Sequence, residues 1–515
     1  MKWPRPSGWQ CIVYSSFVVA LVCIIQSIDE IRFESLFKLD RIPLFLPKTF
    51  HHSTNESTAR NTPPKTIQIP LNCTSLGNRT RNCPANYYPK NFFQYSQLGG
   101  QDDDHQEYQG GGSTCPDYFR WIYEDLQPWK ETGITAEMVE RAWPASNFRL
   151  VIVDGRAYVD RRKKAPQTSD VFTQWGILQL LRRYPGKLPD LDLMFSVADR
   201  PVIKSEDYHA TTPPPLFRYC GDDDTVNIVF PDWSFWGWAE INIKPWEELL
   251  EEIKEEDKRK RWMDKEAYAF WRGNPRTSAS RMELMRCNVS HKQDWGAHLY
   301  KQDWNKERAE GYKQSNQASQ CTHRYKIYVE GIGWSVSEKY ILACNSVTLL
   351  MKTRYYDFFS RGLMPMHHYW PINDQGDKCR SIKFAVEWGN SHEREAQDIG
   401  KAGSDFIRED LKMDYVYDYM FHVLSEYAKL LRYKPTIPER ALEICSETFA
   451  CPRPVGVHKT FMMESMVKSP TDLSPCNMPP PYDALAFQTL LERKANAISQ
   501  VELWEKKYWE NQTNT

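Results

Sequence analysis

Beyond Thr114 the chain alternates between two hydrophobic rhythms. RLVIVDGRAYV (149–159) and LDLMFSV (191–197) are short apolar runs, and between them DVFTQWGILQLLRRY (170–184) has helical spacing and stops at Pro185-Gly186. The order reads strand, helix, strand, with NIVFPDW (227–233) as a further strand. KPWEELLEEIKEEDKRKR (244–261) reads as an exposed helix whose opposite charges stand three and four apart. AYAFWRG, YKIYVEG, SVTLLMK and KFAVEW then repeat the strand signal, and Tyr417, Met420, Phe421, Leu424, Tyr427, Ala428 and Leu431 keep the spacing of a packed helix. Strands alternating with helices specify an α/β chain. A length of 515 residues exceeds what one hydrophobic core supports, so two packed domains are expected.

The N-terminal part is different in kind. CIVYSSFVVALVCII (11–25) is nearly uninterrupted apolar sequence, with Lys2 and Arg5 before it and Asp29 and Glu30 after it. This predicts a cytoplasmic tail over 1–10 and a single-pass transmembrane signal anchor over 11–28 that leaves the rest of the chain lumenal. A cleaved signal peptide is the competing reading, but no small-x-small site follows the run. Residues 29–113, rich in Pro, Asn, Thr and Gly and ending in QLGGQDDDHQEYQGGGS, read as a disordered lumenal stem. Glycosylation sequons at Asn55, Asn72, Asn78, Asn288 and Asn511 fit that placement. Of thirteen cysteines, Cys11 and Cys23 fall in the anchor; the others show no CxxC and no zinc spacing, so disulfides are expected. With no KDEL-type ending, the Golgi membrane is expected over the endoplasmic reticulum. A formal net charge of -1 supplies no field for nucleic acid.

Two turns carry the candidate chemistry. In FWRGNPRTSASR (270–281) a strand ends, Arg272-Gly-Asn-Pro-Arg276 turns, and Thr277, Ser278 and Ser280 stand at the mouth of a helix beginning near Ala279. Arginines beside helix amides can receive a phosphate or pyrophosphate; a capped turn with surface arginines is the plainer alternative. The second turn, EGIGWSVS (330–337), follows YKIYV and precedes SEKYILAC, with Gly331 and Gly333 permitting close backbone approach and Ser335 and Ser337 placed to donate. Neither turn is a Walker or GxGxxG signature. Two such turns at successive strand ends fit the ligand edge of an open α/β sheet.

The ordered motifs FWRGNPRTSASR, YKIYVEGIGWSVSEKYILACNS, YYDFFSRGLMPMHHYWPI and GSDFIRED closely resemble glycosyltransferase family 90, the Rumi-like protein O-glucosyltransferases, and especially their plant-type branch. The resemblance implies a GT-B fold of two facing Rossmann-like domains: an acceptor and catalytic-base domain over 114–245 and a nucleotide-sugar domain over 246–434, followed by an extension over 435–515. It implies an inverting transfer from UDP-glucose or UDP-xylose with no permanently bound cofactor. The catalytic base falls on Asp199 in LPDLDLMFSVADRP, which from the residues alone reads rather as a turn-capping or salt-bridged aspartate. Donor contacts fall on Asn274, Arg276, Arg281, Ile332, Gly333, Trp334, Ser335, Val336 and Ser337, and a bridged pair on Cys321 and Cys344.

The departures from the family shape the remaining expectations. Ser337 stands where the animal members have an arginine, so Arg276, Arg361 or His368 is expected to compensate. PDWSFWGW (231–238) differs from them and offers Trp233 and Trp236 either for stacking on an acceptor sugar or as an interdomain plug. These differences favour a glycan or cell-wall polysaccharide acceptor over a serine of a folded protein module, with a non-catalytic, lectin-like relative as the reading of a different class. DxD-like tracts at 101–105, 189–192 and 221–225 offer carboxylates, but a GT-B enzyme is expected to need no metal. Residues 435–482, with nine prolines and Cys445, Cys451 and Cys476, read as an irregular surface extension pinned by disulfides.

Overall fold

The computed structural model describes residues 68–73, 83, 113–373 and 376–513. The anchor over 11–28, Asn55, Asn78 and the acidic tract at 101–105 lie outside the described residues. Among those described, no helix is long and apolar enough to cross a membrane.

The first sheet begins with a hairpin. RLVIVDGRAYV, read from sequence as one strand, forms β1 (Phe148–Val153) and β2 (Arg156–Arg161), paired antiparallel. Asp154 (φ 53°) and Gly155 (φ 72°) both take the left-handed conformation that a two-residue type I′ turn demands, so the Asp-Gly pair is the physical reason for the fold-back. α1 (Ser169–Arg183) leads to β3 (Leu191–Phe195), antiparallel to β1. The short strands β4 (Phe217–Arg218) and β5 (Ile228–Val229) then continue parallel to β3. This sheet is therefore mixed.

α2 (Trp246–Arg259) carries the chain to a five-stranded sheet that is parallel throughout. It is built from β6 (Glu266–Gly273), β7 (Ala297–Lys301), β8 (His323–Tyr328), β9 (Val347–Met351) and β10 (Trp370–Ile372), in the spatial order β10-β9-β8-β6-β7. The short helices α3 (Ala279–Leu284) and α4 (Ser337–Leu342) follow β6 and β8. KFAVEW, read as a strand, lies inside α5 (Lys378–Ser391): its apolar residues at 382, 385 and 386 bury one helical face in the second core. β7 and β10 take the strand places that reading left empty.

Residues 413–444 return to the first sheet. α6 (Met413–Leu430), grouped by sequence with the second domain, packs on α1 and β3, and its Tyr427 hydroxyl donates to the Asp192 carbonyl at 2.9 Å. β11 (Leu442–Ile444) pairs antiparallel with β2 at the sheet edge, so the extension completes the first sheet. Disulfides Cys73–Cys451 and Cys83–Cys445 tie residues of the expected stem to this extension, and Cys115–Cys476 ties the start of the first domain to it. The Ile69 N–H donates to the Lys468 carbonyl at 2.8 Å and Leu71 packs on the first core. That part of the stem is thus held in the folded body, against the expectation of a stem without core contacts. Cys287–Cys379 and Cys321–Cys344 brace the second sheet, and Cys220 is a buried free thiol.

Candidate active site

The end of β6 buries Ala269, Phe270 and Trp271, and the chain leaves the sheet at Gly273. The Asn274 side-chain oxygen accepts from the Arg276 N–H at 3.0 Å, and the Thr277 hydroxyl donates back to the Asn274 carbonyl at 3.0 Å. Ser278 caps α3 by accepting the Arg281 N–H at 3.3 Å, while its hydroxyl donates across to the Glu330 carbonyl at 3.1 Å. The turn after the adjacent strand β8 is closed by Gly331 N–H to the Gly333 carbonyl at 3.0 Å and by Ser335 N–H to the Tyr328 hydroxyl at 3.1 Å. The two turns thus lock onto each other through backbone and side chain.

Arg281 is the clasp between them. Its Nη1 donates to Thr277 Oγ1 at 3.0 Å, its Nη2 to Ser335 Oγ at 3.1 Å and to the Val329 carbonyl at 3.0 Å, and Trp271 lies beneath the guanidinium. Among the described residues all its partners are neutral oxygens, although it is 9% exposed. Burial lowers its pKa, and only Tyr328 and Glu330 oppose that at a distance. A cation held this way has unsatisfied affinity for an anion.

Asn274, Arg281, Ser335, Val336 and Ser337 line one cavity of about 210 Å³, together with Trp238, Gln302, Trp304 and Lys326. The Lys326 amine is buried, donates to the Gln320 carbonyl at 3.1 Å, and is pushed down to about 7 by burial and by the nearby Lys265.

The segment after β3 closes over the second turn. The Arg200 Nε donates to the Ile332 carbonyl at 2.9 Å, and the Asp199 carbonyl stands 2.0 Å from where a Cβ on Gly333 would sit, a contact only glycine permits. Arg218, buried under this segment and lowered to about 10 by burial, donates to the Ala198 carbonyl at 2.8 Å and to the Arg200 carbonyl. The Asp199 residue itself is exposed. Partial desolvation raises its carboxyl above the usual value, with Arg218 and Arg200 opposing.

The sequence pattern of Glycosyl transferase family 90 matches residues 111–505. This chain belongs to that family. It is 25% identical over 338 residues to O-glucosyltransferase rumi of Drosophila melanogaster, covering 62% of this chain and 79% of the fly protein. It is 26% identical over 338 residues to Protein O-glucosyltransferase 1 of Homo sapiens, covering 63% of this chain and 82% of the human protein.

Several residues that the resemblance assigned sit elsewhere in this family 90 glycosyltransferase. Ile332, Gly333 and Trp334 are outside the cavity lining: Ile332 is exposed, Gly333 packs on Asp199, and Trp334 is buried against Tyr219. Arg276 is exposed, and its guanidinium has no partner among the described residues. Arg361 cannot stand in for a charge missing at Ser337, because it is buried in a two-bond pair with Asp125 at 2.7 and 2.9 Å. Nor can His368, held neutral by burial that lowers it to about 3 while its Nδ1 accepts the Met364 N–H at 2.9 Å. Ser337 shares a 2.9 Å contact with Ser335 instead.

Trp236 is a core residue and not an acceptor platform. It is 0% exposed, lies against Gly176 of α1 and donates to the Tyr417 hydroxyl of α6 at 3.0 Å. Trp233 is buried with Tyr219 and Trp238. Half-buried Trp238, whose indole donates to Gln167 at 2.9 Å, is the tryptophan of this stretch that reaches the cavity. Its segment has no period to show which ring faces out. Lys326 did carry a signal, a lone lysine within the apolar strand YKIYV.

Of the acidic tracts, Asp222 and Asp224 are paired with Arg354, and Asp192 with Arg149. Asn72, Asn288 and Asn511 are exposed. Cys321–Cys344 closes the segment holding β8, the second turn and α4.

Proposed function

We propose that this protein is an inverting GT-B glycosyltransferase that moves glucose or xylose from UDP-glucose or UDP-xylose to a hydroxyl of a glycan or cell-wall polysaccharide. One juxtaposition supports this: the Asp199 carbonyl packs on Gly333, in the turn whose Ser335 and Ser337 line the cavity, and the buried cation of that cavity, Arg281, has no carboxylate partner among the described residues. The Asp199 carboxylate takes the proton of the acceptor hydroxyl as that oxygen bonds to the anomeric carbon from the face opposite the diphosphate. The bond to UDP breaks with its electron pair, and the charge growing on the diphosphate is met by Arg281 and by the exposed Arg276. The raised pKa of Asp199 strengthens it as a base and makes the reaction fail at acid pH.

Trp238 at the cavity supports a sugar-stacking role. The apolar run over 11–25, the sequons and the disulfides support a Golgi type II membrane placement with the catalytic body in the lumen. The name of the human relative, Protein O-glucosyltransferase 1, favours a second reading, transfer to a protein, which the family resemblance puts on serine. Incubation of the enzyme and each UDP-sugar with cell-wall oligosaccharides and, separately, with folded protein modules decides between them. Product on the oligosaccharide with inverted anomeric configuration supports the first reading; product on the module alone replaces the acceptor and leaves the transfer chemistry intact.

A further inference from the structure

We propose that Glu266, His298 and His323 form a zinc-binding site on the second sheet, separate from the donor cavity. The three residues come from the adjacent strands β6, β7 and β8. Their ligand atoms form a nearly equilateral triangle: His323 Nε2 to Glu266 Oε2 is 3.2 Å, His298 Nδ1 to Glu266 Oε2 is 3.4 Å, and His298 Nδ1 to His323 Nε2 is 3.2 Å. Metal–ligand bonds of about 2.0–2.1 Å in tetrahedral geometry give ligand-to-ligand edges of roughly 3.3–3.4 Å, which these distances match. Two imidazoles and a carboxylate are a ligand set of zinc chemistry, with a fourth position left for water.

The surroundings prepare the site. His323 Nδ1 lies 2.8 Å from the Thr322 hydroxyl; when that nitrogen donates, the Nε2 lone pair points at the triangle, as outer-sphere partners of metal-bound histidines arrange. In that tautomer Nε2 and the Glu266 carboxylate face each other across 3.2 Å with no proton between them, a repulsion that a cation relieves. The ring of Tyr268 stacks on His298 at 4.5 Å and that of Phe270 lies 4.9 Å from His323, fixing both imidazoles. The Glu266 side chain is 53% exposed and that of His298 25%, leaving an entry path. The ligands are separated by tens of residues, so no spacing motif announces them. Phe270 also lines the donor cavity, so the zinc would stiffen the strand that carries the first donor turn.

The test uses the full-length chain in detergent without a histidine tag, stripped with a chelator and titrated with zinc chloride, with retained metal measured after gel filtration. One zinc per chain and a four-coordinate visible spectrum on cobalt(II) substitution are expected. Glu266→Gln and His298→Gln, both outward-facing, should weaken zinc binding by at least about tenfold, a loss that even outer-sphere partners produce. UDP affinity and unfolding temperature of the zinc-free variants should match zinc-free wild type, showing that the fold persists. Absence of stoichiometric zinc in the wild type, or equal affinity in both variants, overturns the site and leaves a hydrogen-bonded triangle in which His323 donates from Nε2.

Discussion

The cations of the cavity beside the two turns and those of the contact between the two sheets are buried alike but answered differently. At the contact, Lys339 of α4 donates to Asp232 at 3.2 Å and to Ser234 at 2.8 Å, and Arg361 is clamped by Asp125. Both cations are raised, Asp125 and Asp232 acting against burial. In the cavity, Arg281 and Lys326 touch only neutral atoms among the described residues, and burial lowers both. The first pair brings its own counter-ions and holds the molecule together. The second is incomplete until an anion arrives, which is the electrostatic preparation that a departing diphosphate requires.

The largest expected effects test the self-sufficient pair. Asp125→Asn and Asp232→Asn each leave a buried cation unpaired, so chemical denaturation should report a loss of about 3–5 kcal/mol, with near-normal turnover in the folded fraction. If stability holds, the contact is not what joins the sheets. Arg281→Gln should do the reverse: turnover falls by about 10²–10³-fold, as for removal of one transition-state donor. Its unliganded stability should hold or rise, because a desolvated cation is gone; loss of stability with full activity would erase the contrast.

Gly333→Ala probes the seam itself. Its methyl group would meet the Asp199 carbonyl, so the base must shift, and displacements of about 1 Å cost on the order of 10²-fold in rate. UDP affinity should change far less than turnover. The smallest effect concerns Lys326. Its folded pKa of about 7 lies below the ordinary value of 10.5, so between those pH values the unfolded chain binds more protons and stability from this group rises with pH. Lys326→Met should remove up to about 1.4 kcal/mol per pH unit of that slope above about pH 7. Bound UDP should flatten the slope in wild type by favouring the charged amine.

What the sequence disclosed follows the same division between local and long-range causes. The helix from Trp246 to Arg259, the strand ending at Gly273 and the helix starting at Ala279 are encoded by periodicity, breakers and a serine cap, and they were legible. Ser335 stands out as a turn donor and the family resemblance points to Asn274 and Arg281; the three meet in one cavity because β6 and β8 are neighbours. The antiparallel hairpin was also written locally, in Asp154-Gly155, but two apolar runs joined by a tight turn read as one. KFAVEW shows the opposite failure: a short apolar segment has no period of its own, and tertiary burial decided for helix. The return of α6 and β11 to the first sheet rests on contacts hundreds of residues apart, among them Cys73–Cys451 and Cys115–Cys476, which no local pattern specifies. Which tryptophan of PDWSFWGW faces the cavity is likewise set by a glycine on another element, Gly176, which admits Trp236 to the core.

The central claim is that Asp199 removes a proton from an acceptor at a site where the nucleotide is already held. The direct measurement is UDP release from UDP-glucose and UDP-xylose, with an acceptor panel, by wild type and Asp199→Asn across pH, with UDP affinity determined in parallel. Wild type is expected to turn over one of these donors, with a rate rising as pH climbs through the raised pKa of the carboxyl. Asp199→Asn is expected to lose about 10²–10⁴-fold of that rate with UDP affinity unchanged. An Asp199→Asn enzyme that keeps both the rate and the pH profile of wild type would contradict the claim.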